Sequence, residues 1–253
     1  MLFLLLLAAC RSDAPAGRRA DGGGARARAP AGREPRERGG DDGDAGVAAP
    51  DDPSDPRNVI LFLGTSLTAG LGVAPDSAYP ALIQRRLDSL HQPWRAQNAG
   101  VSGETSAGAL RRTAWLLQGH VGIFVIETGA NDGLRGLDAD STRANIEAII
   151  AAVRAHDAAT RIVLVGMEAP PNMGPRFTAR FRAMFPDLAR KDHLALVPFL
   201  LTGVAGIDSL NQADGIHPTP RGHRIVAENM WKVVGPMVGD APTHRRTDAQ
   251  RAP

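Results

Sequence analysis

From about residue 58 onward the chain alternates between two apolar patterns. Short continuous runs stand at residues 59–63 (Val-Ile-Leu-Phe-Leu), 122–126 (Gly-Ile-Phe-Val-Ile) and 161–165 (Arg-Ile-Val-Leu-Val), with weaker ones at 95–99 and 194–197. Runs this short without polar alternation predict strands covered on both faces. Between them the apolar positions recur at helical spacing. Tyr79, Leu82, Ile83, Leu87 and Leu90 predict a helix from near Ser77, and Leu110, Thr113, Ala114 and Leu117 a second. Ile146, Ile149, Ile150 and Val153 predict a third, capped by Asp140 or Ser141. Phe177, Phe181, Met184, Phe185 and Leu188 line a fourth, and Val226, Met230 and Val233 a last. Five alternations of strand and helix favour an α/β domain: a parallel sheet with helices on both faces. Ligands of such sheets sit beyond the carboxyl ends of the strands.

The chain of 253 residues divides unevenly. Residues 1–10 are apolar and too short to cross a bilayer as a stable helix, which fits the core of an export signal. No Lys or Arg precedes this run. Residues 11–57 contain one Val and no Leu, Ile or aromatic residue. They cannot bury enough apolar surface to offset the entropy of ordering and are read as a disordered linker. Residues 58–238 form one domain with a full core, and 239–253 a disordered tail. The net charge of +2 argues neither for nor against nucleic acid, and none is expected as a partner. Cys10 is the only cysteine, so no intramolecular disulfide and no thiolate site is available to the folded part.

Two segments far apart carry the chemistry: residues 64–68 (Gly-Thr-Ser-Leu-Thr), directly after the first strand, and 214–218 (Asp-Gly-Ile-His-Pro), near the end. A serine at a strand lip, with a carboxylate and an imidazole brought from a distant loop, supplies what makes a hydroxyl nucleophilic. Taken singly these residues have plainer readings: Ser66 as a helix cap, His217 as a surface or core histidine. Two further segments follow strand ends, residues 100–103 (Gly-Val-Ser-Gly) and 129–132 (Gly-Ala-Asn-Asp).

Together the four segments resemble the signature blocks of the SGNH, or GDSL-type, hydrolase family, most nearly its bacterial arylesterase and lysophospholipase-thioesterase branch. The resemblance spans residues 59 to about 234. It implies a flavodoxin-like three-layer α/β/α fold with a five-stranded parallel sheet. It also implies Ser66 as nucleophile, His217 as general base and Asp214 as the acid that orients the imidazole. The oxyanion donors would be the Ser66 and Gly103 backbone N–H groups and the Asn131 side chain. Glycine at 103 is expected to leave room for the approaching ester. Thr65 departs from the pattern, since the family usually has Asp before the nucleophile, where it holds the oxyanion loops. A threonine hydroxyl replaces some of those bonds but not the charge. Asp132 is read as a loop brace.

Several other features are set aside. Thr68 occupies the second glycine position of a Gly-x-Ser-x-Gly elbow, which disfavours the α/β-hydrolase fold. Gly70-Leu-Gly72 is read as a turn, and Trp94, Trp115 and Trp231 as core packing. His217 and His223 stand six apart with two prolines between them and match no usual metal spacing. No cofactor and no metal is expected. The resemblance implies a serine esterase acting through an acyl-enzyme on short to medium acyl or aryl esters, with thioesters and lysophospholipids within reach. Residues 168–174 would border the acyl pocket. A carbohydrate O-acetyl esterase of the same family and a catalytically silent cell-envelope binding lipoprotein are the alternatives. Residues 7–10 (Leu-Ala-Ala-Cys) resemble a bacterial lipobox, implying lipidation at Cys10 and an exported, periplasmic or outer-membrane-anchored protein; oligomeric state is left open.

Overall fold

The computed structural model describes residues 57–239. The proposed export segment with Cys10, the expected linker (11–57) except Arg57 and the expected tail (239–253) except Gly239, which is helical, lie outside the described residues. Five strands form one sheet: β1 (Asn58–Gly64), β2 (Trp94–Gly100), β3 (Ile123–Ile126), β4 (Arg161–Val165) and β5 (Ala195–Val197). They are all parallel, in the order β2-β1-β3-β4-β5. The three central strands β1, β3 and β4 are buried almost throughout, which is why they read as unbroken apolar runs. The edge strands β2 and β5 are half-buried and correspondingly faint in sequence.

Among the described residues seven α-helices connect and cover the sheet: α1 (Ser66–Ala69), α2 (Tyr79–Ser89), α3 (Ser106–Leu116), α4 (Ala130–Leu134), α5 (Ala139–His156), α6 (Pro175–Lys191) and α7 (Pro220–Gly239). Helices α2 and α7 pack together on one side, while α3, α5 and α6 pack in succession on the other. This is the expected three-layer arrangement, and the strand order is that of flavodoxin-like sheets. Proline stands at the start of both α6 and α7, where its missing N–H costs nothing.

The helix expectations hold in outline and shift in detail. The cap of α5 is Asp138, whose carboxylate accepts from Ser141 N at 3.0 Å, so Asp140 and Ser141 lie inside the first turn. The buried stripe of α3 runs through Ala109, Thr113 and Leu116, leaving Ala114 outward, because small residues at 108 and 109 carry little apolar signal yet allow close packing. Leu90 caps α2 and is 52% exposed. Of the three tryptophans, Trp94 is buried with its indole N–H donating to Val238 O at 3.1 Å, Trp231 is half-buried, and Trp115 is 39% exposed rather than core. The α6 stripe packs as expected, with the Phe181 and Phe185 rings edge to face at 5.6 Å.

The connection from β1 leads to β2 on one side, and the chain then returns past β1 to β3 on the other. A crevice therefore opens between the carboxyl ends of β1 and β3. Residues 64–68 and 129–132 flank it.

Candidate active site

Ser66 is the first residue of α1, a single turn ended by Gly70. As the first helical residue it has an N–H without an intrahelical acceptor, and the residue as a whole is 9% exposed. The residues around it are held by a buried carboxylate that no sequence pattern had singled out. Glu127, just past β3, accepts from Thr65 N at 2.7 Å, from Thr65 Oγ1 at 2.9 Å and from Thr68 Oγ1 at 2.7 Å. Thr65 thus bonds Glu127 and not the oxyanion loops, contrary to expectation. The charge expected to be missing beneath the loop that holds Ser66 can come from the neighbouring strand. Burial pushes the Glu127 carboxyl up to about 7, against the lowering effect of hydrogen bonds from Thr65 and Thr68.

The imidazole arrives from the other end of the chain. His217 Nε2 lies 2.9 Å from Ser66 Oγ, and His217 Nδ1 lies 2.6 Å from Asp214 Oδ2. The local sequence accounts for this loop. Asp214 Oδ1 accepts from Ile216 N at 2.9 Å and His217 N at 3.0 Å, an Asx turn that folds the carboxylate under the ring. An isolated antiparallel bridge, Asn211 to Pro218, closes its base. Gln212 Nε2 ties it to the turn after α1 by donating to Leu71 O at 2.8 Å. The hydrogen bond from the His217 ring, then those from the His217 and Ile216 backbones, bring the Asp214 carboxyl down to about 2. It therefore stays ionised and accepts from Nδ1–H, leaving the Nε2 lone pair toward the serine.

The other two segments converge on the same point. Asn131, on α4, donates through Nδ2 to Glu104 O at 2.9 Å, which leaves the second amide hydrogen uncommitted. Gly103 has φ +75°, and a Cβ built there would meet only Arg135 Nη2 at 3.8 Å. Glycine is thus required there by backbone conformation and not by crowding from the protein. Its carbonyl accepts from Arg135 Nη2 at 2.9 Å. Glu104 pairs with Arg112 at 2.7 Å, and Arg112 Nη2 reaches Gly64 O at 3.2 Å, so one half-buried ion pair links the loops after β1 and β2. Asp132 braces as expected: it accepts from Ser106 N at 2.8 Å, Ser106 Oγ at 2.6 Å and Thr142 Oγ1 at 3.2 Å.

A serine, an imidazole and a carboxylate in line, with uncommitted donors beside them at the switch point of a parallel sheet, is an arrangement for acyl transfer. Residues 62–225 match the model of the GDSL-like Lipase/Acylhydrolase family. The chain belongs to that family. Among its relatives, the esterase TesA of Pseudomonas aeruginosa is 38% identical over 180 residues, covering 71% of this chain and 89% of TesA. The thioesterase 1/protease 1/lysophospholipase L1 of Escherichia coli is 34% identical, covering 72% of this chain and 85% of its own. The crystal structure of the psychrotrophic esterase EstA from Pseudoalteromonas sp., inhibited by monoethylphosphonate, is 32% identical with a TM-score of 0.68, covering 72% of this chain and all of that one. The protein is a hydrolase of ester bonds, with the SGNH fold expected of it.

In this acylhydrolase Ser66, Gly103, Asn131 and His217 all line one cavity of about 500 Å³. Its walls are mostly apolar, with Leu71, Leu134 and Ile216 at the partly exposed edge and Met167 and Phe199 further in. Residues 168–171 border it as expected, but Met173 does not; Met167, buried just before that segment, supplies the methionine. Gly70 and Gly72 form a turn, with φ of +78° and +77°. His223 is buried, and that burial brings it down to about 4 and keeps it neutral. Among the described residues no group of three His, Cys, Asp or Glu is placed to hold a metal ion. Glu104, Arg112, Glu127 and Arg135 escaped the sequence reading, since isolated charges on helices and strand ends look like ordinary surface residues.

Proposed function

We propose that the enzyme hydrolyses carboxylic esters through an acyl-enzyme on Ser66. The single observation that carries this reading is the file of Ser66 Oγ, the His217 ring and the Asp214 carboxylate, spaced 2.9 and 2.6 Å apart. Ser66 Oγ attacks the ester carbonyl as His217 Nε2 takes its proton, and Asp214 steadies the imidazolium. The oxyanion is held by the Ser66 and Gly103 N–H groups and by the free hydrogen of Asn131 Nδ2. Collapse transfers the proton from His217 to the leaving alcohol. Water then attacks the acyl-enzyme with His217 again as base, releasing the acid and restoring Ser66.

The cavity lies in the size range of small-ligand sites, and its apolar walls suit an acyl or aryl group better than a sugar. No Trp or Tyr lines it as a stacking platform for a carbohydrate. The substrates are short to medium acyl or aryl esters, with thioesters and lysophospholipids as further members of the range, in keeping with the activities for which its relatives are named. The hydrolase domain spans residues 58–238, held by a linker to an exported, Cys10-acylated N-terminus at a membrane surface; the apolar run before Cys10 and the composition of residues 11–57 support this.

A fluorophosphonate probe tests the reading. Labelling at Ser66, together with loss of p-nitrophenyl ester hydrolysis by several orders of magnitude in Ser66→Ala, is the expected result. Near-normal hydrolysis by Ser66→Ala would overturn it. A panel of p-nitrophenyl esters of rising chain length, acetylated xylan and a lysophospholipid ranks the substrates. Mass spectrometry of the mature N-terminus decides the anchor, and an unmodified Cys10 removes it.

A further inference from the structure

Glu127 is the one fully buried carboxylate beside the nucleophile that the acyl-transfer steps do not use. Its backbone N–H donates to Leu63 O at 2.8 Å, so the side chain is fixed against β1. A Cβ at Gly64 would lie 2.7 Å from Glu127 Oε2 and 1.9 Å from Thr68 Oγ1, so the strand end is glycine where the carboxylate sits. Besides the Thr68 backbone N–H, three donors converge on the two oxygens: Thr65 N–H, Thr65 Oγ1–H and Thr68 Oγ1–H. Thr65 immediately precedes Ser66 and Thr68 follows it by two positions. Only an ionised carboxylate accepts from all three, because a protonated one must itself donate and turn one threonine hydroxyl around.

We propose that Glu127, in its ionised form, is a positioning residue for the nucleophile: it clamps the residues on either side of Ser66, and its protonation loosens that clamp. The proposal rests on the reading of Ser66 as nucleophile. The groups facing the carboxylate leave it as the local acid-base element. On α2, Tyr79 shares a hydrogen with Thr68 Oγ1 at 2.7 Å, and burial, with Glu127 adding to it, raises its phenol well above 10. On α3, Arg112 bonds Glu104 and the Gly64 carbonyl through Nε and Nη2, with Nη1 buried and unpartnered, and on α4, Asp132 is committed to Ser106 and Thr142. On the far side of Ser66, His217 faces Asp214. With the Glu127 carboxyl at about 7, the clamp switches in the neutral range.

The experiment compares the full-length protein with Glu127→Gln on a soluble p-nitrophenyl ester, reading kcat and KM across the range from about pH 5.5 to 9. At pH 8 the expected result is an unchanged KM and a kcat lower by roughly 10- to 100-fold, the scale of a misplaced reacting group. The ratio of wild-type to variant kcat should then shrink toward one as pH falls below about 7, since protonated Glu127, like Gln, carries no charge and must donate where the carboxylate accepts. A ratio that does not vary with pH, or a kcat at pH 8 equal to wild type, overturns the proposal. Should Glu127→Gln not fold by circular dichroism, Thr65→Val takes its place. Losing one donor to the charged form, it should lower kcat and move the acid limb to higher pH; an unmoved limb overturns the proposal. Fluorophosphonate labelling of Ser66 separates the two failures. A labelled wild-type enzyme with an inert Glu127→Gln leaves the acyl-enzyme reading standing, whereas an unlabelled one ends both.

Discussion

The same carboxylate makes a thermodynamic prediction that does not depend on catalysis. In the unfolded chain Glu127 titrates at 4.5, and in the folded protein burial moves it to about 7. Because the folded value is the higher one, the fold favours the protonated form. Its contribution to stability is fully present below about pH 4.5 and is lost as pH rises through about 7. The difference of about two and a half pH units corresponds to roughly 3 kcal/mol at alkaline pH. Glu127→Gln removes the titration while keeping the shape and a carbonyl acceptor for Thr65 N–H. Urea unfolding of both proteins at about pH 5 and pH 8.5 therefore gives a double difference in which other titrating groups, such as Asp214, cancel. Because about 0.8 kcal/mol is already lost at pH 5, the variant should gain about 2.5 kcal/mol on the wild type between the two pH values, or about 5–10 °C in Tm for a domain of this size. A gap between the two proteins that stays within about 0.5 kcal/mol across that range would refute the reasoning, since surface groups alone shift stability that little.

Two further outcomes follow from the site. Asp214→Asn leaves an amide where the imidazole needs an acceptor, favouring the wrong tautomer; kcat should fall by roughly 10⁴-fold with KM little changed, and steady-state kinetics near neutral pH would count against the assignment if the loss were under tenfold. Asn131→Ala removes the proposed oxyanion donor and the bond to Glu104 O; a loss of about 10² to 10³ in kcat is expected, and an equal loss in binding of the substrate's alcohol or acid products would show that the side chain acts on the ground state instead.

The parts legible in the sequence were those whose signal is carried by several residues at once. The strands β1, β3 and β4 are buried on both faces and announce themselves by composition, and α5 and α6 by periodicity. The segments holding Ser66, Asn131 and His217 were visible because, taken together, they resemble the signature blocks of a known family, which no single one of them would have carried. What stayed hidden were pairings made by single side chains across the sheet. Nothing near Glu127 in sequence indicates that its partners stand 59 and 62 positions earlier. Of the stripe expected for α3, Thr113 and Leu117 are buried and Leu110 packs against the core, and Ala114 alone faces outward, because the buried face also uses Gly108 and Ala109, whose contribution is the space they leave.

Thr65 shows how such pairings change the meaning of a departure from pattern. Seen alone, a hydroxyl where a carboxylate is usual suggests a weakened site. In three dimensions the hydroxyl is the donor that a neighbouring carboxylate requires, at 2.9 Å. An acid at position 65 would put a second carboxylate against Glu127, and two such groups in contact cannot both ionise in a buried site. The threonine lets a single charge remain beneath the nucleophile loop, with donors on both sides of Ser66 to satisfy it. That charge costs stability at alkaline pH, and the wild-type sequence keeps it where a neutral glutamine would fit. Retaining a destabilising buried charge beside Ser66 is intelligible if the ionised form does something there that the neutral form does not.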